Sequence, residues 1–174
     1  MIVKTVTPEM WSAVKRRLIA FALRYGDRRL TKLGLQAMQR LESEDLDSSV
    51  DGDANAVVAV AFHDNKLVGV GAAIEYGKSA CLLAVHPETR GQGIGSALLQ
   101  SMIRSCGRLS CTVALDNPAS ISVCFGAGMV AVGISRGPTG KPTIRFIHRS
   151  MIQEELQTNE KERGEAWHSP SSVY

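Results

Sequence analysis

Aromatic residues are scarce, at 5% of 174 positions, which argues against a nucleic-acid binder that stacks bases on exposed rings. The four cysteines, Cys81, Cys106, Cys111 and Cys124, form no Cys-x-x-Cys pair and show no metal-ligand spacing, so no metal site is expected. They read as free thiols in a reducing compartment. No apolar run approaches the ~20 residues of a membrane-spanning helix, and the start lacks a basic-then-apolar secretory signal. The expectation is a cytoplasmic protein with no membrane partner. A net charge of +3 is too small to imply a polyanionic partner, and no internal repeat is present. Hydrophobic residues at 44% suit one globular domain with a substantial core.

The charge is unevenly distributed. Residues 1–41 carry nine Lys or Arg against Glu9 and Asp27, and the next dozen carry Glu42, Glu44, Asp45, Asp47, Asp51 and Asp53. Basic helices thus run into an acidic loop, read as solvated. Lys15, Arg16, Arg17, Arg28, Arg29 and Lys32 are scattered around helices that must also bury an apolar face. That makes them a solvated face rather than a nucleic-acid footprint.

The chain is organised around residues 81–99, CLLAVHPETRGQGIGSALL. Cys81 to Val85 is a short continuous apolar run, the mark of a strand buried on both faces. Pro87 ends it by lacking an N–H and biasing His86 away from helical torsions. In Arg90-Gly91-Gln92-Gly93-Ile94-Gly95-Ser96, alternate glycines leave the main chain unobstructed. Ile94, Ala97, Leu98, Met102 and Cys106 then recur at spacings of three and four, so the turn feeds an amphipathic helix. A helix start preceded by bare glycine backbone offers unpaired N–H groups and a positive dipole end to phosphate.

Three phosphate-binding turns compete. The only Gly-Lys in the chain, Gly140-Lys141, is followed by Pro142 and has Ser135 where a Walker loop needs its first glycine. The dinucleotide fingerprint, counted from Gly91, places Ser96 at the third glycine and leaves five residues between strand and turn. Asp116, near the end of the next strand, is all that favours it. The third pattern, Arg/Gln-x-x-Gly-x-Gly/Ala, is met by Arg90, Gly93 and Gly95. With the Leu-Ala-Val-His-Pro lead-in, this stretch resembles the GNAT superfamily of N-acetyltransferases. Downstream, Asn117, Ser120, Val123 and Gly128 fall at matching positions of a second motif of that family. Cys124 stands where the family usually has Tyr, and Met129 where it has Phe.

Taken in order, Ile2 to Val6 reads as an edge strand. Thr7-Pro8-Glu9 starts a helix with Thr7 as cap and Trp11, Val14, Leu18, Phe21, Ala22 and Tyr25 on its apolar face. Gly26-Asp27 stops it, and a second helix over 28–41 is expected to bury Leu30, Leu33, Ala37, Met38 and Leu41. Ala56 to His63 and Lys66 to Tyr76 pair across Asp64-Asn65. The helix to Cys106 and the strand Leu109 to Leu115 form a crossover, which implies a parallel pair with the strand before it. Ile121 to Ala127 is a short helix, and Met129 to Arg136 and Pro142 to Arg149 form a closing hairpin. The fold class is α/β: a mixed, mostly antiparallel, seven-stranded twisted sheet flanked by four helices, with one central parallel pair. Residues 1–150 form this domain; residues 151–174 form a polar tail, as a frayed helix or disordered.

The resemblance implies acetyl-CoA as co-substrate, an amine acceptor and direct acetyl transfer to a primary amine of a small molecule or protein. It also implies that the pantetheine arm lies between the two splayed parallel strands. The cofactor-binding residues implied are Leu83, Ala84 and Val85 on the strand edge, Arg90, Gly91, Gln92, Gly93, Ile94, Gly95 and Ser96 in the turn, and Asn117. A backbone N–H near Val85 is the natural oxyanion donor. Glu75, at a strand end, is either the base or an exposed acid; Cys124 is either the acid that replaces Tyr or a core filler. His86 and Tyr76 are further candidates for proton transfer. The acids after residue 41 would attract a cationic acceptor. An acyl-CoA-binding module without turnover is the alternative, and a homodimer stays open.

Overall fold

The computed structural model describes residues 1–27, 29–47, 55–137 and 140–157. Among them are seven strands: β1 (Ile2–Thr5), β2 (Ala56–His63), β3 (Lys66–Ile74), β4 (Ala80–Val85), β5 (Ser110–Ala114), β6 (Val130–Arg136) and β7 (Pro142–Ile147). The helices are α1 (Pro8–Tyr25), α2 (Lys32–Arg40), α3 (Ile94–Cys106) and α4 (Pro118–Gly126), with a last helical segment at residues 152–157.

The strands form two sheets rather than one. The first has the order β1-β2-β3-β4, the second β5-β7-β6, and every pairing is antiparallel. The expected parallel pair of β4 with β5 is therefore corrected: among the described residues no ladder joins them, and β4 is an edge. A crossover fixes the direction of a following strand but not its distance. Here β5 spends its main chain on β7, extended by Leu115 N–H to the Pro142 carbonyl at 2.9 Å. The two strands come together near their starts, where the Tyr76–Gly77 turn lies so close on Ser110 that a side chain at Gly77 would strike the Ser110 carbonyl. Gly77 has φ +86, which independently favours glycine.

Two apolar layers sandwich the first sheet. Trp11, Leu18, Phe21, Ala22 and Met38 of α1 and α2 pack on Val58, Val60, Val70, Ala72, Leu82 and Ala84. On the opposite face Ile94, Leu98, Leu99 and Met102 of α3 pack on Val57, Ala59, Ala61 and Val68, and reach Cys111, Cys124 and Phe146 of the second sheet and α4. Period-2 alternation in β2 and β3 and period-3.6 spacing in the helices produce this layering.

Several boundaries differ from the sequence reading. Thr7 precedes α1 but its side chain caps no backbone N–H; its hydroxyl instead bonds to Glu9 and holds that carboxyl below its usual range. The second helix begins at Lys32, capped by Thr31, whose hydroxyl accepts from Gly34 N–H at 3.0 Å. This turns Leu33 outward, 65% exposed. The acidic loop contains a 3-10 turn, Glu44–Leu46, that buries Leu46. Residues 48–54 of that loop, the tip of the last hairpin at 138–139 and the tail beyond 157 lie outside the described residues.

Candidate active site

The glycine turn is built as the sequence suggests. Gly91 and Gly93 have φ +76 and +77, the left-handed region, and a Cβ on either would meet no protein atom within 4 Å. Glycine is needed there for torsion, and the space beside it is open. Gly95 differs: a Cβ would lie 2.9 Å from Val123 Cγ2, so this residue lets α3 rest on α4. Among the described residues, the N–H groups of Gly91, Gln92, Gly93, Ile94, Gly95 and Ser96 have no acceptor in the protein, whereas Arg90 N–H bonds Pro87 O and Ala97 N–H bonds Gly93 O. Six successive unpaired amides at a helix start are the arrangement that can seat an anion.

The strand edge follows a two-residue alternation. His86 N–H donates to Val68 O at 2.9 Å, so with the β3–β4 register the main-chain groups of Ala84 and Leu82 also face β3. Leu83 and Val85 present theirs on the free edge. Ala84 is therefore corrected as an edge ligand: its main chain serves Val70 and its side chain is buried under α1 and α2.

Arg90 makes three contacts within the protein. Its Nε donates to Val85 O at 3.0 Å, its NH2 to Tyr25 O at 3.0 Å, and its NH1 pairs with Asp27 at 2.6 Å. The guanidinium fastens the turn to the end of β4 and of α1. Across the mouth, Asp116 pairs with Lys141 at 2.5 Å and Arg29 at 3.3 Å. Lys141, followed by Arg29, holds its carboxyl below the usual range. Tyr25 and Asp27 are thus tied to the glycine turn, and Arg29 to Asp116 beyond the end of β5. The sequence reading missed this frame, because Gly26-Asp27 reads as a helix stop and Asp116 carries no local signal of its partners.

Asn117 caps α4: its Oδ1 accepts from Ser120 N–H at 3.2 Å and its Nδ2 donates to Ser120 Oγ at 2.8 Å. Those bonds make Asn117 the N-cap of α4. Gly128, φ +83, closes the helix; its N–H bonds Phe125 O and the Met129 N–H bonds Cys124 O. Ser96 Oγ donates to Val123 O at 3.3 Å, tying α3 to α4 and leaving its N–H to the turn. Cys124 is 3% exposed, with Sγ 3.6 Å from Cys111 Sγ. The hydrogen bond to Cys111 and then burial push its thiol far up.

Glu75 lies beyond the end of β3, at φ +50, followed by Tyr76 at +56. Its N–H bonds Asn55 O at 2.6 Å and its Oε2 accepts from Ser79 Oγ at 2.6 Å. The Arg108 guanidinium stacks over Tyr76 at 3.9 Å. His86 packs its ring on Tyr25, 4.6 Å between centroids. Ile74 is the β3 partner of Ala80, so Glu75 stands at the start of β4 and Val85 at its end, roughly 17 Å apart along the strand. The oxyanion donor expected near Val85 and the base expected at Glu75 are therefore too far apart to act on one carbonyl carbon. Leu83, the next free N–H toward Glu75, shortens that separation to roughly 10 Å from the start of the strand.

Residues 54–124, from just before β2 into α4, match the family model described as acetyltransferase (GNAT) domain. The match spans less than half of the chain. No curated protein matches the chain by sequence. Solved structures share the GNAT fold at low identity. One is an acetyltransferase of the GNAT family from Streptococcus pneumoniae, 19% identical, covering 84% of this chain and 97% of that one with a TM-score of 0.56. Another is a mutant of spermidine N-acetyltransferase SpeG from Vibrio cholerae, 15% identical, covering 85% and 94% with a TM-score of 0.52. A third is AAC(6')-Ib in complex with paromomycin and acetyl-CoA, 14% identical, covering 87% and 94% with a TM-score of 0.52. The matched segment holds the glycine turn and the β4 edge; α1, α2 and the β6–β7 hairpin lie outside it.

Proposed function

We propose that this chain transfers the acetyl group of acetyl-CoA directly to a primary amine of a small molecule or protein. The observation that carries the reading is the run of six unpaired amides from Gly91 to Ser96 beside the free edge of β4. Neighbours of the same fold that act on spermidine or hold acetyl-CoA support it. The four free cysteines suit a reducing compartment such as the cytoplasm, and no described helix is long and apolar enough to cross a membrane.

Acetyl-CoA, when bound, supplies an acetyl group activated as a thioester. The amides of residues 91–96 hold its diphosphate, and the free edge of β4 takes its tether, Val85 first. Arg90 occupies the Val85 carbonyl, so at that residue only the N–H is offered. Farther toward the start of β4, the Leu83 N–H donates to the carbonyl oxygen that gains charge; one such donor contributes roughly 10²–10³ in rate. Glu75, oriented by Ser79, takes the ammonium proton through water. In this reading Cys124 stays in the core, and the second proton comes from water.

The test is release of free CoA thiol from acetyl-CoA across a broad amine panel. Turnover with at least one amine is expected. The burial of Cys124, which leaves α4 without an exposed acid at that position, favours a second reading as an acyl-CoA-binding module; tight CoA binding with no turnover on any amine would establish that instead.

A further inference from the structure

A surface cavity of about 490 Å³ opens at the C-terminal end of α2, walled by the start of β2 and the end of β3. Its volume lies within the ~300–1,000 Å³ of small-molecule sites. Leu41, Ala56 and Ile74 make an apolar floor, and Arg40, Asp45 and Glu75 line it with charge of both signs. We propose that this cavity binds the acceptor as a zwitterion, a free amino acid whose carboxylate meets Arg40 and whose ammonium meets Glu75 and Asp45. The proposal rests on the acetyl-transfer reading and names the substrate class of that site.

The two acids are held by neutral donors and are not ion-paired among the described residues. Asp45 Oδ2 accepts from the Glu42 N–H at 2.8 Å and Glu75 Oε2 from the Ser79 hydroxyl at 2.6 Å. Arg40 has no hydrogen-bond or ion-pair partner among the described residues, though it shares the cavity with both acids. The end of α2 does not depend on it, because the Leu41 carbonyl is already taken by Trp11 Nε1 at 2.8 Å and Lys15 Nζ at 2.7 Å. A planar guanidinium suits a carboxylate by two parallel bonds. The other wall is rigid for a different reason: Glu75 and Tyr76 are consecutive non-glycine residues in the left-handed region. Such torsions cost of order 1–3 kcal/mol each and persist where surroundings enforce them. Here the enforcing contacts are the Asn55 carbonyl on Glu75 N–H and the Arg108 stack on Tyr76. Among the described residues Arg40 forms no ion pair with Asp45 or Glu75, so a cation and two acids line one cavity with their charges uncommitted to each other, complementary to an amine and a carboxylate on one small skeleton.

The experiment compares thiol release from acetyl-CoA with free amino acids, their carboxamides and their decarboxylated amines, using the full chain. The free acid is expected to be preferred in kcat/KM by about tenfold or more, as suits one charge-assisted pair. Arg40→Gln is expected to bring that ratio close to one through KM, and Arg40→Lys to restore part of it. Equal rates for all three forms, or a ratio unmoved by Arg40→Gln, would overturn the zwitterion. If no amine of any form is acetylated, the acetyl-transfer reading fails separately. The cavity is then judged by NMR of a ¹³C-labelled amino-acid mixture added to the CoA-saturated protein. Binding lost in Arg40→Gln upholds the inference, and absence of binding refutes it.

Discussion

Arg90 Nε donates to the carbonyl oxygen of Val85 at 3.0 Å, so one side chain locks the end of β4 to the glycine turn five residues on. The same guanidinium reaches the Tyr25 carbonyl and Asp27, which brings the end of α1 into the same frame. The arginine of this motif thereby acts in this chain through the backbone it positions.

Arg90→Ala is accordingly expected to weaken CoA binding about tenfold by calorimetry, the size of one lost charge-assisted bond network. Thermal stability should change little, because the side chain is 39% exposed and its ion pair is screened. Arg90→Lys should not restore affinity, since an ammonium cannot make the three divergent bonds.

Alanine substitution should separate the glycines. Gly91→Ala and Gly93→Ala force a side chain into the left-handed region, a cost of roughly 1–2 kcal/mol, and tilt the amides, so both stability and CoA affinity fall. Gly95→Ala meets Val123 instead, and overpacking of this kind costs about 1–3 kcal/mol. Denaturant titration alongside calorimetry distinguishes the two patterns, affinity per unit of stability falling more for Gly93 than for Gly95.

Why some of this was legible in the sequence and some was not follows from where the information sits. The hairpin at Asp64-Asn65, with φ +48 and +60, and the left-handed Gly91 and Gly93 are local facts of torsion, readable from residue type. The strand–turn–helix was therefore correctly ordered. The partners of Arg90 include Tyr25, 65 residues away, and nothing local marks them. That β5 pairs with β7 and not with β4 is again non-local. Leu33 illustrates a smaller failure: moving the helix start to Lys32 puts it on the solvent side. Cys124 sits at a motif position whose usual residue is Tyr, but its burial against Cys111 depends on how α4 meets β5.

The Cys111–Cys124 pair has a consequence for alkaline stability. Both thiols are pushed above their ordinary value of 9.0, so the folded state holds these protons more tightly than the unfolded chain. Their contribution is complete below about pH 9 and is lost as pH rises beyond it. The melting temperature is expected to drop above that pH, and less steeply in Cys111→Ala/Cys124→Ala. An identical slope in the double variant would mean that other groups govern the loss.

Glu75→Gln keeps the Ser79 contact but cannot accept a proton from an ammonium. Its kcat is expected to fall about 10²-fold or more, in the range of a lost general base, with KM for acetyl-CoA unchanged. A variant with wild-type kcat would assign the proton to water alone.

The central claim is that the main-chain amides from Gly91 to Ser96 bind the diphosphate of CoA. The most direct measurement is a ¹H–¹⁵N titration of the labelled protein with CoA, followed amide by amide. Resonances of Gly91, Gly93, Gly95 and Ser96 are expected to move saturably, together with those of Leu83 and Val85. Unmoved resonances at these six positions at saturating CoA, with no heat of binding, would contradict it.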